Sequence, residues 1–250
     1  MFMLAKHINP LPKILAAALF LHVATALAQT HTTTVPFIGC ASDGQVGPLK
    51  PPHGTPKRIT ISARAAQHLA WYQAENSPGV LAPRGWHCFG TYGSNGSSLF
   101  VAPQPLSSHF FFSHTDHTFT GPVIQISSMF GDTSGRFSVA STIARVFPAH
   151  RDFAESVRNE HLGIDVLPTG PAPTDKLHYL SNEVVEYTTP ANSDGEGTHS
   201  LLSKSPLPIT GVEILSGEEL NCTSLAVRLP PGLAYLAPEI IHELERRTEK

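Results

Sequence analysis

The first 28 residues limit where this chain can fold and act more than any other feature does. They have the three-part layout of a secretory signal peptide. A basic segment carries Lys6 and Lys13, an apolar run extends from Ile14 onward, and that run ends in Ala26-Leu27-Ala28. A positively charged start, an apolar stretch of about 7–15 residues and an A-x-A site are typical of cleaved export signals. We therefore predict cleavage after Ala28 and a mature protein that is periplasmic or secreted.

Two other interpretations of this region are a membrane anchor and a lipid-modified N-terminus. A spanning helix needs roughly 20 apolar residues, whereas this run is interrupted by His22 and Thr25. We therefore expect no membrane span in the mature form. The segment Phe37-Ile38-Gly39-Cys40 resembles a lipobox, but a polar segment separates it from the apolar run. Cleavage near Ala28 is the favoured prediction.

Export also bears on the cysteines, because disulfides persist in oxidising compartments outside the cytosol. The chain has three, Cys40, Cys88 and Cys222, so at most one pair can form within it. Cys40 and Cys88 each follow aromatic and glycine-containing segments, and their pairing would close a long loop worth about 3–4 kcal/mol. We predict a Cys40–Cys88 disulfide, with Cys222 as a small buried residue in a strand.

Charge argues against one class of partner. The chain has a formal net charge of −3, which becomes −5 when the two signal-peptide lysines are removed, and it contains no run of Lys and Arg. Nucleic-acid binding depends on clustered cations that neutralise phosphates. We therefore expect no nucleic-acid partner, and we consider a small ligand, a glycan or an envelope protein instead.

The order of the predicted elements favours an α+β fold. Strands and helices come in runs rather than in strict alternation, and 22 prolines with 19 glycines indicate many loops. We predict a single loop-rich domain at 57–250 with mainly antiparallel strands and three or four helices, preceded by a signal peptide at 1–28 and an extended N-terminal arm at 29–56. The main predicted elements are strands at 58–62, 98–101, 109–112, 122–127, 183–188, 211–215 and 223–229, and helices from Ser62 to Glu75, 134–147, 150–161 and 238–250.

One short motif could bind a metal. The stretch from Phe112 to His117 resembles part of the metallo-β-lactamase signature H-x-H-x-D-H. His114, Asp116 and His117 match its later positions, and the resemblance implies a zinc site at these three residues. Phe112 stands where the first histidine belongs, and a catalytic zinc needs three protein ligands with an open fourth position. A polar turn is the alternative, and apart from zinc here we expect no cofactor.

A second set of candidates lies in the segment 85–98, which is dense in aromatic residues, Gly, Ser and Asn. Trp86, His87, Tyr92 and Asn95 are candidates for contacting a ligand, although aromatic residues of this kind more often form core. We find no complete catalytic motif in the chain. The leading hypothesis is a non-catalytic binding domain of the cell envelope or secretome. The alternative is a hydrolase of unrecognised type, metal-assisted through His114 and His117.

Three segments carry a wider resemblance. They are Val35 to Gln45 (VPFIGCASDGQ), Arg84 to Gly90 (RGWHCFG) and Glu183 to Asn192 (EVVEYTTPAN). They are similar to segments of uncharacterised exported bacterial proteins. This resemblance implies export and a single domain, and it implies no activity.

Intact-mass spectrometry can test the export prediction. Protein collected from outside the cytosol should have an intact mass that corresponds to a chain beginning at Gln29, because the signal is removed after Ala28. A mass that retains Met1 would contradict the prediction, and a mass that begins at a lipid-bearing Cys40 would support the lipobox alternative.

Overall fold

The computed structural model describes residues 30–113, 117–162 and 166–248. The predicted signal peptide lies outside these residues. The twelve strands of the described part are β1 Thr30–Val35, β2 Phe37–Gly44, β3 Lys57–Ser62, β4 Leu69–Ala74, β5 Val80–Pro83, β6 His87–Gly93, β7 Gly96–Ala102, β8 Val123–Met129, β9 Lys176–Tyr179, β10 Val184–Thr189, β11 Ile209–Ser216 and β12 Asn221–Arg228. Its five α-helices are α1 Ala63–His68, α2 Ser108–Phe112, α3 Arg136–Val146, α4 Arg151–Asn159 and α5 Ala237–Thr248.

Ten of the strands form one sheet, in the order β5-β4-β2-β6-β7-β8-β12-β11-β10-β9. Its strands pair antiparallel, except that β2 is parallel to both β4 and β6. The remaining two strands, β1 and β3, form a separate antiparallel pair. Both sheets and helices are therefore present, with mostly antiparallel pairing in one domain, which confirms the predicted α+β class.

The segment 29–56, predicted to be an extended arm, contributes two of these strands. β1 pairs with β3, and β2 lies inside the large sheet between β4 and β6. A disulfide joins β2 to β6 through Cys40 and Cys88, whose Cα atoms lie 5.4 Å apart, as predicted. Cys222 is a free, buried cysteine on β12, also as predicted. The disulfide is consistent with an oxidising compartment.

One face of the sheet packs on α5. Leu225 and Val227 of β12 point to this face, which we call the α5 face, and share a core cluster with Ile240 and Leu244 of the helix. Because successive strand residues point to opposite sides, residues between them, such as Ala226, lie on the other face.

No helix among the described residues is long and apolar enough to cross a membrane.

The opposite face, which we call the pocket face, has apolar packing at its two ends. At one end, α3 and α4 pack on Cys222 and Leu215. At the other end, phenylalanine rings cluster: Phe111 of α2 stacks on Phe89 and lies 4.8 Å from Phe100, between ring centroids. The part of the pocket face between these two cores is lined mainly by polar side chains.

One predicted helix is wrong beyond its first turns. Ser62 is the N-cap of the helix, since its hydroxyl accepts a hydrogen bond from the Ala65 amide at 3.3 Å. The helix then ends at His68, and the residues from Leu69 to Ala74 form β4 instead of continuing to Glu75. Leu69 and Tyr72 are three residues apart, which suits a helix, but every residue of the run except Gln73 is buried. Periodicity cannot distinguish a buried strand from a buried helix.

The segment 109–112 was predicted to be a strand and is part of helix α2. Its phenylalanines have high strand propensity, but propensity measures fit to a half-buried surface rather than a backbone preference. A single turn of helix places Phe110 and Phe111 together against Phe119. Packing therefore outweighs propensity here.

Removing the disulfide should destabilise the fold. It closes a loop of 48 residues, for which the chain-entropy model gives about 4 kcal/mol. We expect the double variant Cys40→Ala/Cys88→Ala to lose about 3–4 kcal/mol of unfolding free energy in urea titrations. Reduced wild-type protein should unfold at the same midpoint as the double variant. A wild-type midpoint that does not respond to reductant would contradict this expectation.

Candidate functional site

The polar part of the pocket face is a row of side chains that runs straight across five strands. Direct cross-strand partners link Thr91 to Ser98, Ser98 to Ser127, Ser127 to Ser224 and Ser224 to Glu213. We call these five residues the polar row. Cross-strand partners have Cβ atoms about 4.5–5.5 Å apart, so their side chains form one continuous hydrogen-bonding surface.

Hydrogen bonds join two pairs of residues within this row. The hydroxyls of Ser98 and Ser127 lie 2.7 Å apart, and the Gln125 amide donates to Ser127 at 2.9 Å. At the other end, the Ser224 hydroxyl donates to Glu213. Networks of this kind orient one another's donors and acceptors. The row, together with Gln125, therefore presents hydroxyl, amide and carboxyl groups that hydrogen bonds orient.

A cavity of about 560 Å³ lies over the polar row. Helix α3 forms one wall and the loop after β10 forms another. The lining residues from α3 are Phe137, Ser138, Ser141, Thr142 and Arg145, and those from the loop are Glu196, Gly197, His199, Ser200 and Leu201. Ser138, His199 and Ser200 are exposed and mark its mouth. We call this cavity the central pocket; its volume is in the range of small-molecule sites.

An ion pair joins the two walls. The Arg145 guanidinium donates to both carboxylate oxygens of Glu196, at 2.6 and 2.8 Å, and to the Thr142 hydroxyl at 3.0 Å. Only 10% of the Arg145 side chain and 3% of the Glu196 side chain are exposed. Burial alone would lower the pKa of Arg145, but the hydrogen bond and charge of Glu196, followed by the charge of Glu213, leave that pKa raised. Both partners are therefore charged and fixed.

Glu213, at the end of the polar row, has the most perturbed carboxyl group of the pocket. Burial raises its pKa to about 8, and the negative charge of Glu196 adds to the increase. Hydrogen bonds from Ser224 and from the Cys222 thiol, 3.5 Å from Oε2, act in the opposite direction. Below about pH 8 this carboxyl therefore carries a proton. It can donate a hydrogen bond, as a hydroxyl does.

Three further titratable groups near the pocket are uncharged at neutral pH, and burial is the main cause for each. Burial raises the pKa of Tyr187, whose hydroxyl donates to the Leu225 carbonyl at 3.2 Å, and it raises the pKa of the Cys222 thiol. His199 has a lowered pKa, first through desolvation and then through the charge of Arg145. The charges that remain at neutral pH on these pocket groups are those of the Arg145–Glu196 pair, which cancel.

The ligand-contacting candidates chosen from the sequence lie elsewhere. Trp86 is half-buried against the α5-face core, and the exposed His87 begins β6. Tyr92 lies at the far end of β6, where its hydroxyl donates to the Gly47 carbonyl at 2.5 Å, and the exposed Asn95 follows in the turn. The two pairs thus occupy opposite ends of one strand. None of the four lines the central pocket.

Of the three residues predicted to bind a metal, the structure describes only His117. His114 and Asp116 lie outside the described residues. The ring of His117 stacks on Phe110 with centroids 5.1 Å apart. The zinc site suggested by the sequence remains a prediction.

The sequence did not indicate the residues of the central pocket, because they occur in a pattern that is common in strands. In Val123-Ile124-Gln125-Ile126-Ser127, polar and apolar residues alternate as in a strand with one face in water. One signal was present nevertheless. Glu213 and Leu215 share a strand face, because they are two residues apart, and leucine is among the residues most often buried. A glutamate beside a core residue on the same face indicates a buried carboxyl.

The raised pKa of Glu213 should appear in the pH dependence of stability. The folded chain holds a proton on Glu213 up to about pH 8, whereas the unfolded chain loses it near pH 4.5. Between these values the folded state binds more protons, so its stability falls as pH rises. Each unit of pKa difference corresponds to about 1.4 kcal/mol, so the total is a few kcal/mol.

Glu213→Gln should remove this contribution, because an amide resembles the protonated carboxyl and does not titrate. Unfolding free energies between about pH 5 and pH 8 should fall less steeply in Glu213→Gln than in wild type. Glu218→Gln, an exposed change in the same hairpin, should follow wild type. The lowered pKa of His199 acts in the opposite sense and is present in all three proteins. Parallel curves for wild type and Glu213→Gln would contradict the raised pKa.

Neither a protein-family model, nor a curated protein, nor a solved structure matches this chain. The chemistry of the site therefore follows from its own residues. They form a neutral, hydroxyl-rich cavity that is closed on one side by the sheet and opens at Ser138, His199 and Ser200.

Proposed function

We propose that this protein is an exported, non-catalytic binding protein for a small, neutral, hydroxyl-rich molecule such as a mono- or disaccharide. The supporting observation is the polar row itself. Five cross-strand neighbours with hydroxyl or carboxyl side chains face a cavity of about 560 Å³ at the centre of the sheet. Apolar residues would stabilise this position better, because burying polar groups costs free energy unless they are paired.

The residues of the pocket match the groups of a sugar. Hydroxyl groups donate and accept hydrogen bonds, so Ser98, Ser127 and Ser224 can each pair with a ligand hydroxyl in either sense. Phe100 and Phe137 also line the cavity and supply apolar surface for the C–H faces of a sugar ring. Most of the other lining residues are polar, which suits a ligand that forms hydrogen bonds over much of its surface.

Electrostatics favour a ligand without net charge. The guanidinium of Arg145 is already occupied by both oxygens of Glu196, so it offers little attraction to an anion. Glu213 is protonated at neutral pH, so the polar row offers no carboxylate to a cation. A charged ligand would lose its hydration without gaining a counter-charge.

The place of action that we propose is the periplasm or the extracellular medium. The Cys40–Cys88 disulfide supports an oxidising compartment, and the predicted signal peptide supports export. The resemblance to uncharacterised exported bacterial proteins points the same way. Among the partners considered from the sequence, the central pocket favours a small ligand or the end of a glycan over an envelope protein.

A second candidate function is a hydrolase of unrecognised type, and one observation favours it. A carboxyl whose pKa lies near 8 holds a proton at neutral pH and can act as a general acid. Glu213 meets this condition and lines the pocket. In this alternative, Glu213 would protonate a leaving group.

The binding proposal predicts a difference between two neighbouring serines. We expect a neutral mono- or disaccharide in a thermal-shift screen to raise the melting temperature, and isothermal titration calorimetry to give its affinity. Ser127 belongs to the polar row, so Ser127→Ala should weaken that affinity about 5- to 10-fold, as the loss of about 1 kcal/mol per hydrogen bond implies. Ser128 is next to it on the α5 face, so Ser128→Ala should bind as wild type does.

Matched sugar acids and amino sugars should bind more weakly than the neutral sugar. Equal effects of Ser127→Ala and Ser128→Ala, or no binding by any neutral sugar, would contradict the proposal. If the bound sugar derivative is cleaved, and Glu213→Gln abolishes cleavage while retaining binding, the hydrolase is the correct function.

A further inference from the structure

A second cluster of polar side chains lies on the α5 face, away from the central pocket. Glu186 of β10 is the direct cross-strand partner of His178 of β9. The Nδ1 atom of His178 lies 3.0 Å from one Glu186 oxygen, and the Nε2 atom of His242 lies 3.7 Å from the other. Helix α5 supplies both His242 and Glu245. These two are three residues apart and therefore lie on one side of the helix.

We propose that Glu186, His242 and Glu245 form a binding site for a divalent transition-metal ion such as Zn²⁺. Each residue offers one ligand atom, and these atoms all lie within 4.8 Å of one another. Around a tetrahedral zinc with ligands at about 2.1 Å, neighbouring ligand atoms are about 3.4 Å apart. The Nε2 atom of His242 lies 3.7 Å from a Glu186 oxygen, which is close to this spacing.

The charges of the cluster favour a cation. Glu186 is half-buried and Glu245 is only 8% exposed, so both carboxyl groups lie where water screens charges less than at the open surface. A divalent ion between the two carboxylates would be attracted to both of them. One imidazole with two carboxylates suits zinc and its neighbours in the transition series, whereas magnesium and calcium prefer oxygen ligands alone.

The surroundings provide space for a further ligand. A groove of about 560 Å³ runs between α5 and the β9–β10 pair, and Glu186, His242 and His178 all line it. An ion held by three protein ligands would keep an open fourth position, and the groove gives a small molecule access to it. His178 contacts Glu186 from the other side, which is how outer residues orient metal-binding side chains.

Zinc titration of the purified, untagged protein tests this site. After removal of metal with a chelator, isothermal titration calorimetry with zinc chloride should show one ion per chain. Glu186→Gln and His242→Ala should each weaken zinc binding at least about 10-fold, comparable with the effect of altering ligand environments in known zinc sites. The matched controls are His53→Ala and Glu218→Gln, which replace exposed residues outside the cluster and should bind zinc as wild type does.

The fold of each variant is checked by circular dichroism and by the melting temperature without metal. His242→Gln, which keeps a polar side chain of similar reach, is the second variant if His242→Ala does not fold. Cobalt substitution should give visible absorption bands in wild type that are lost in both cluster variants. Unchanged zinc affinity in Glu186→Gln and His242→Ala overturns the proposal. So does zinc that persists in these variants but disappears in His114→Ala/His117→Ala.

Discussion

The buried ion pair between Arg145 and Glu196 sets the form of the central pocket. One partner belongs to α3 and the other to the loop after β10, so the pair connects the two walls above the sheet. Removing either partner would leave a buried charge without its counter-charge, which typically costs about 3–5 kcal/mol. A pair of similar-sized apolar residues would be at least as stable, so stability alone does not explain why the site is charged.

The same pair influences the chemistry of the floor. The negative charge of Glu196 contributes to the raised pKa of Glu213, although burial contributes more. The positive charge of Arg145 helps to lower the pKa of His199 at the mouth. Burial is the largest cause of both shifts, and one charge of the pair adds to it in each case. A pocket with fixed dipoles and no net charge suits a ligand that hydrogen-bonds in many directions.

Much of the fold could be predicted from the sequence, because local signals agreed with the tertiary structure. The helix predicted at 134–147 contains α3, and the strands predicted at 211–215 and 223–229 correspond to the antiparallel pair β11 and β12. Two predictions were wrong: a helix was predicted where β4 lies, and a strand was predicted where α2 lies. The first segment is apolar except for Gln73 and the second has three consecutive phenylalanines, so neither a period of 2 nor a period of 3.6 is visible.

The central pocket could not be predicted in the same way. Its floor is assembled from five strands whose order in the sheet differs from their order in the chain, with β12 between β8 and β11. Each strand contributes one or two polar residues that resemble ordinary solvent-facing positions. Only the position of α3 and of the loop around Glu196 shows that this face is covered. Such coverage is a property of the assembled fold rather than of any local segment.

Strand β10 shows how one short segment can serve two sites. Its side chains alternate between the faces of the sheet, so Tyr187 lines the central pocket while Glu186 faces α5. The metal cluster and the central pocket are therefore separated by the thickness of the sheet. A change of side chain at one of these positions leaves the side-chain contacts of the other in place. Variants at Glu186 and at Ser127 can therefore test the two sites independently.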